Sequence, residues 1–576
     1  MGDYLLVSHA RGPLPAFRSK ALKVRAAEAG MTVSALSDRV WLAVCGPGAP
    51  GVVTVGAWRL IGDVHNRERR PLDASTNAEP WSYERKLVAR FWGRFVGVLI
   101  GGDGDPKALL RDPCGGLDCL AWEDEGLVFA ASFIPDWLAL PASWRIDEER
   151  VAQALHDPLL VWDNLLIDGP VAVRPGTVQP LPLETPPSEI WNPAAVARQG
   201  LTHPMTDKKA VLALEQAVDD VVRSLAGTAG PLAAEVSGGL DSSLVAASLV
   251  RVRDDVAPWI NLHGAEAQSD ERAYVAALAD RLGFRPLYAE HATGPLTAEG
   301  FADISTGIRP GLGGLDVHHD RDWASRFRAA SATAVMTGRG GDSLLVQGAT
   351  ADVFADLWAA QGWRALCSPL LPGLAKLNDQ SIWTLMARAR RPRAGRPPRS
   401  NPLFRPVDHP VPSWLQDCED LGPAKTQQIA GLIDGVGRQS PSLQSQAVTI
   451  LTPLLSLPVV ELCLSLPTAQ LVLGARERGL AREAFRARLP PAIIDRRTKG
   501  EMSAIYGRMV ASNLAVLRPF LLEGRLAAAG LIDPVALDAA LTHEALIWQG
   551  HYGEIMVAAA IEAWVRHWEV RLRPPP

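Results

Sequence analysis

Residues 233–247 read AAEVSGGLDSSLVAA. An apolar lead-in ends at Ser237; Gly238, Gly239 and Leu240 follow, then Asp241 and the hydroxyl pair Ser242 and Ser243. A strand feeding a glycine-rich turn and then a helix makes an anion site. The turn's N–H groups point inward, and the helix N-terminus adds partial positive charge. The three serine hydroxyls can donate to phosphate oxygens. No Walker lysine follows, which excludes the G-x-x-x-x-G-K-[ST] loop. Asp241 alone would repel a phosphate, so the chemistry asks for Mg²⁺ between them. Leu262 or His263, at the end of the next strand-like run, falls beside the ligand crevice in switch-point geometry. His318 and His319, beside Asp316 and Asp320, could suggest a metal site. Adjacent histidines point apart on any regular element, so this stretch reads as a polar loop.

The elements that must position these residues follow from pattern. "TDKKAVLALEQAVDDVVRSLAG" has apolar residues at helical spacing and ends in glycine. "PLAAEV", "VAPWINLHG" and "ATAVMTG" read as strands, with helices between them, including "SDERAYVAALADRLGF" with Ser269 or Asp270 as cap. Strand–helix alternation predicts a parallel, doubly wound sheet. From about residue 351 the pattern is mostly helical. The first 145 residues read as strands, with no long helical period. The proline-rich residues 173–193 read as a linker. The division expected is therefore residues 1–195 and residues 205–576.

With 576 residues, two or more domains are expected. The chain is 47% hydrophobic and 21% charged, an ordinary globular mixture, and its formal net charge of −5 argues against a nucleic-acid partner. No apolar run is long enough to span a bilayer, and no signal segment precedes Asp3, so no membrane is expected. The six scattered cysteines form no C-x-x-C pair, which fits a reduced, cytoplasmic protein. The arginine- and proline-rich residues 387–402 read as a solvated loop; the sharper alternative is a contact to an anionic partner.

S-G-G-L-D-S-S after a strand resembles the pyrophosphate loop of ATP pyrophosphatases, which cleave ATP between the α- and β-phosphates and leave AMP on an oxygen of the substrate. "VMTGRGGDSLL", residues 335–345, is similar to the second nucleotide motif of the asparagine synthetase superfamily. That resemblance implies that Thr337 and Gly338 line the AMP and that Asp342 joins Asp241 as a Mg²⁺ ligand. "LAREAFRARLPPAIIDRRTKGE", residues 480–501, resembles a third motif, in which Lys499 would stand against the reaction centre and Arg482 would face the nucleotide. Where the second motif carries Glu in asparagine synthetases and Tyr in β-lactam synthetases, this chain has Arg339. Arginine stays protonated and cannot be a general base.

The first part, "FWGRFVGVLIGGDGDPKALLRDPCGGLDCLAWEDEGLVFAAS", resembles the class II glutaminase-like half of asparagine synthetases, including the turn Arg111–Asp112–Pro113. The cysteine expected at the processed N-terminus is missing: Gly2 and Asp3 stand there, and the nearest cysteine is Cys45. The nitrogen nucleophile must then come from the substrate. Residues 451–500 look most like lasso peptide cyclases. The resemblance implies an α/β fold with a degenerate glutaminase-like domain and an ATP-pyrophosphatase domain with a mainly helical C-terminal part. It implies an ATP- and Mg²⁺-dependent ligase that adenylates an Asp or Glu of a precursor core peptide and closes an isopeptide ring with the peptide's N-terminal amine. Its implied partners are a leader-peptide-binding protein and a leader peptidase. The rival readings are a small-molecule amide-forming ligase, a tRNA-modifying ATP pyrophosphatase and a non-catalytic scaffold.

Overall fold

The structure is a computed structural model. It describes residues 2–67, 81–264, 269–312, 316–348, 350–390, 401–437, 442–497 and 503–573. Two six-stranded antiparallel sheets occupy the first part of the chain. One centres on Asp3–His9, between Val40–Cys45 and Leu127–Ala131; the other centres on Phe91–Ile100 and Pro106–Arg111. Tyr4, Leu6 and Leu42 from one sheet meet Ile61, Val96 and Val98 from the other, forming a dry layer between them. The alternation along these strands leaves each sheet a second apolar face, and each packs against the rest of the chain. Trp58, Leu60 and Trp92 join the core that contains Leu214, Leu244 and Val459, while Trp122 and Phe129 join the one that contains Ile555 and Trp564.

The fold departs from the sequence pattern in two places here. A helix of 16 residues, Pro13–Glu28, covers the first sheet. Its apolar face is thin, with only Ser19 and Ala26 buried, so periodicity could not find it. Residues 173–193 are not a free linker. Thr177–Pro180 pairs with Pro106–Arg111 and with Ser188–Glu189, so the prolines sit on the edge of the second sheet, where a missing N–H does no harm.

The second part is built on a five-stranded sheet in the order Pro286–Glu290, Trp259–His263, Leu232–Glu235, Ala334–Met336, Thr449–Leu451. All four pairings are parallel. Helices bury both faces, the usual cover for a parallel sheet. The helix Asp207–Thr228 lays Ala210, Leu214, Val218, Val221, Val222 and Leu225 along one buried stripe against it. Leu232–Glu235 comes first in sequence yet lies in the middle. The chain proceeds to one side through two strands, then crosses to Ala334–Met336 on the other. The order therefore reverses between these two neighbours, and the crevice beyond their C-terminal ends is where such sheets hold ligands. Beyond residue 351 the described chain is mostly helical, as expected, with the strand Thr449–Leu451 and a bridge between Phe404 and Ile532. No described helix is long and apolar enough to cross a membrane.

Candidate active site

Both loops singled out in the sequence leave the sheet at this reversal. Ser237–Gly239 follows Leu232–Glu235 and opens onto the helix Leu240–Leu249, which is buried throughout. Gly238 has φ +71, which an L side chain adopts only with strain, and a Cβ there would lie 2.9 Å from the Tyr274 side chain. The hydroxyls brace the turn from within. Ser237 N donates to Ser242 Oγ (3.1 Å), Gly239 N to Ser237 Oγ (3.3 Å), and Ser243 Oγ to the Gly239 carbonyl (2.7 Å). Ser243 is fully buried, so of the three serines it is the one most committed to the loop's shape. Leu240 and Asp241 stand in the helix's first turn, where partial positive charge favours an acid.

The second loop, from Thr337, folds directly onto the first. A Cβ on Gly338 would stand 2.4 Å from Ser242 N, and one on Gly341 would stand 2.5 Å from Asp241 Cγ. Only glycine permits this approach, and it brings Asp342 to Asp241 across 101 residues of sequence. Thr337 is buried, its Oγ1 accepting from Arg339 N (3.4 Å). Leu262 is half-buried near the end of the neighbouring strand, packed with Ile260 and Val335, and Asn261 Nδ2 donates to the Val236 carbonyl just before the first loop (2.8 Å).

A third segment supplies the cation that sequence reasoning missed. Arg478 Nη1 donates to Asp241 Oδ2 (2.7 Å) and to Asp342 Oδ1 (2.9 Å). One guanidinium nitrogen thus touches a carboxylate from each loop. Arg478 is 5% exposed and holds φ 54, ψ 33, a left-handed conformation costly for a side chain of this size. The sequence offered a faint signal: Arg478 lies four residues before Arg482 in "RERGLAR". Its backbone strain left none. Arg482 itself turns to the chain around it, donating to the carbonyls of Glu477, Ile493 and Ile494. Burial, with Arg476 and Arg478 nearby, pushes its guanidinium down to about 10, still charged at neutral pH. Lys499 lies outside the described residues. Arg496, three residues before it, donates to the Gly238 carbonyl of the first loop (3.1 Å) and lies over the Tyr274 ring.

The donor set suits a hard divalent cation. Asp241 and Asp342 are oxygen donors from separate loops that converge on one positively charged group, which shows that positive charge is favoured between them. A phosphate chain would lie where the loop's glycines leave the backbone open, against the N-terminus of Leu240–Leu249.

His318 and His319 do point apart, but not in a loop: they open the helix Val317–Ala329, with Asp316 as its cap. Burial of Val317, Trp323 and Phe327 drives that helix, and the polar start hid it. His318 bonds the Pro295 carbonyl (2.7 Å), and His319 turns inward. Among the described residues no three His, Cys, Asp or Glu side chains are placed to hold a metal ion.

No curated protein matches the chain. The family model for asparagine synthase matches residues 213–428 and 436–566, more than half of the 576 residues and the whole of the cleft just described. Enzymes of that family use ATP, typically with Mg²⁺, and form carbon–nitrogen bonds. The chain belongs to the asparagine synthase family.

Proposed function

We propose that the chain is a macrolactam synthetase of the lasso peptide cyclase type, with a core peptide as substrate. The observation that carries the activation chemistry is the meeting of Asp241, Asp342 and Arg478 at the sheet's reversal. The Ser237 loop and the helix behind it bind the phosphates, and Leu262, Thr337 and Gly338 lie on the nucleotide side. Asp241 and Asp342 hold Mg²⁺, which when bound supplies charge neutralisation at the leaving pyrophosphate. An Asp or Glu carboxylate of the peptide attacks the α-phosphorus, and pyrophosphate leaves. The peptide's amine then attacks the acyl carbon of the adenylate, and AMP leaves as the ring closes. Lys499 and Arg478 offset negative charge at these steps, and Arg482 holds their segment in place.

The first half supports an amine drawn from the peptide rather than from glutamine. Its cysteines are poor nucleophiles. Cys45 is half-buried, and burial together with Asp3 pushes its thiol up to about 11. Burial holds Cys114 well above the ordinary thiol range and pushes Cys119 up to about 12. Thiolate, not thiol, is the attacking form. We read this half as a degenerate glutaminase-like domain that now serves as scaffold. A leader-peptide-binding protein and a leader peptidase would deliver the freed core peptide.

The test uses the full chain, Mg²⁺-ATP and a core peptide encoded beside the gene, following peptide mass and nucleotide together. Loss of one water with matching AMP, abolished in Asp342→Ala, is the expected result. AMP formed only with free aspartate and ammonia would replace this reading with a small-molecule ligase, and no AMP at all would overturn both.

A further inference from the structure

Behind Arg339 lies a buried group of ionisable side chains that the activation step does not use. Asp316 caps the helix Val317–Ala329, its Oδ1 accepting from His319 N (3.3 Å). Its other oxygen, Oδ2, is 2.7 Å from Nε2 of His291, which follows the strand Pro286–Glu290. The His291 ring stacks on His319 with centroids 4.7 Å apart and planes at 6°. Asp320, one turn along the helix, faces Ser442, the cap of the helix Leu443–Ala447. Arg339 reaches across from the second nucleotide loop, donates from Nη2 to Gln444 Oε1 (2.9 Å), and its charge is felt by both Asp320 and His319.

Position and unmade bonds both point to chemistry. Arg339 directly follows Gly338, whose backbone abuts Ser242 N in the phosphate loop, so the group begins one residue from the cleft. His291 N bonds the His263 carbonyl (2.9 Å), which places the group at the same sheet end as both loops. Asp316, Asp320 and His291 are each under a tenth exposed. Yet His291 Nδ1, His319 Nδ1 and Asp320 Oδ2 have no hydrogen-bond partner among the described residues. Buried polar atoms are nearly always paired, so each unpaired one calls for an explanation, and a catalytic role is one that fits here.

We propose that Asp320, with His319 beside it and Arg339 facing both, accepts the proton of the attacking amine; this rests on the acyl-adenylate reading above. The neutral amine nitrogen forms its bond to the acyl carbon, and the carbon–oxygen bond to AMP breaks with its electron pair leaving on AMP. The proton lost by the nitrogen ends on the Asp320 carboxylate. Arg339 cannot take that proton, but its fixed charge disfavours an ammonium beside it and so keeps the incoming amine neutral. Burial, and secondarily Asp316, push the Asp320 carboxyl up to about 7, against the lowering effect of Arg339 and Ser442. An acceptor works best near the operating pH. Burial and the neighbouring His291 push His319 down to about 4, with Arg339 adding to this and Asp316 and Asp322 opposing it, so its ring is neutral and can hand a proton on.

The experiment separates the half-reactions in the full chain. Pyrophosphate exchange into ATP, with the core peptide present, reports activation; peptide mass reports ring closure; hydroxylamine traps the adenylate without needing a base. In Asp320→Asn, exchange and trapping should stay within about threefold of wild type, while closure falls on the order of 10²–10⁴-fold. The wild-type rise in closure near pH 7 should vanish, closure should recover toward pH 9, and Asp320→Glu should restore the rise. Exchange and closure falling together in both variants would make the group structural and overturn the proposal. Wild-type closure at Asp320→Asn would overturn it alone, whereas wild-type protein that forms no AMP would remove the reading beneath it.

Discussion

The two halves use buried charge in opposite ways. In the first half, Arg111 gives Nε, Nη1 and Nη2 to the carbonyls of Leu117, Val173 and Gly115. Asp112 accepts from the backbone N of Cys114 and Phe95. Apart from Asp118, 3.0 Å from Arg111 Nη1, these partners are backbone atoms, and they fix a turn. In the second half Asp241, Asp342 and Arg478 meet from positions 101 and 136 residues apart, at the one place where the strand order reverses. Side chains held by nearby backbone atoms shape a fold. Ionised side chains gathered from distant segments at a sheet reversal support the reaction centre we propose there.

The sharpest break of that comparison sets Asp241→Asn against Asp112→Asn. Loss of Asp241 should cut ATP-dependent AMP release about 10³-fold, since hard-cation charge stabilisation is worth several kcal/mol. Asp112→Asn should leave AMP release within a few-fold and instead change only the melting temperature, because both Asp112 oxygens accept backbone N–H groups in its turn and burial already pushes its carboxyl up to about 7. AMP release measured by chromatography on folded protein decides it. Equal losses in the two variants would erase the distinction between the halves.

Several ion pairs join the halves, and the one between Arg309 and Asp118 is well buried. Arg309 Nε is 2.7 Å from Asp118 Oδ2, and its Nη1 donates to the Val161 carbonyl. Burial by itself would raise the Asp118 carboxyl, but Arg309 and Arg111 hold it well below the usual carboxylate range. Arg309→Met should therefore destabilise the fold by about 1–3 kcal/mol in urea unfolding, less than a stranded carboxylate would cost, because Arg111 remains 3.0 Å from Asp118. A carboxyl depressed in the folded state gives stability that is present above its unfolded value, near 4, and lost as the pH falls below it. Wild type should lose this contribution on acidification; the variant should lose less, keeping only the part that Arg111 supports.

Asp320 carries the opposite sign. Its folded value of about 7 lies above the unfolded one, so the stability it lends is present below pH 4 and is lost as the pH rises through 7. Asp320→Asn should raise stability at pH 8 by on the order of 4 kcal/mol and change it little at pH 4, since each tenfold change in proton affinity on folding corresponds to about 1.4 kcal/mol. Chemical denaturation at the two pH values reads this directly. A gain that does not depend on pH would mean the carboxyl titrates in its ordinary range.

Much of this was legible in the chain, and unevenly. The loop around Ser237 could be read because its chemistry is local: glycine, hydroxyl and acid within seven residues of a strand. The parallel sheet followed from alternation, which buried strands and amphipathic helices impose on a sequence. The helix Pro13–Glu28 was illegible because it buries so little. The sheet-edge role of residues 177–189 was hidden because proline signals a break, not what lies beside it. The Asp320 group could not be found from spacing, since His291, Arg339 and Ser442 come from separate elements. Arg478 sat in plain view, but nothing local distinguishes an arginine that spans two carboxylates from one on a surface.

Arg478 also gives the finest test, because it combines charge with strain. Arg478→Gln keeps the bulk and removes the charge between Asp241 and Asp342. AMP formation should fall about 10–30-fold, the equivalent of roughly 2 kcal/mol for a charged hydrogen-bond partner. Arg478→Lys should fall less, since an ammonium keeps the charge but lacks the planar fork. Stability separates the backbone from the side chain. At φ 54 glycine is unstrained, whereas any residue with a Cβ carries part of a cost of about 1–3 kcal/mol. Arg478→Gly should therefore unfold at higher urea than Arg478→Ala, by about 1 kcal/mol, with both equally impaired in AMP formation. Equal stability of the two would mean that the left-handed turn is set by the guanidinium's two bonds and relaxes once they are gone.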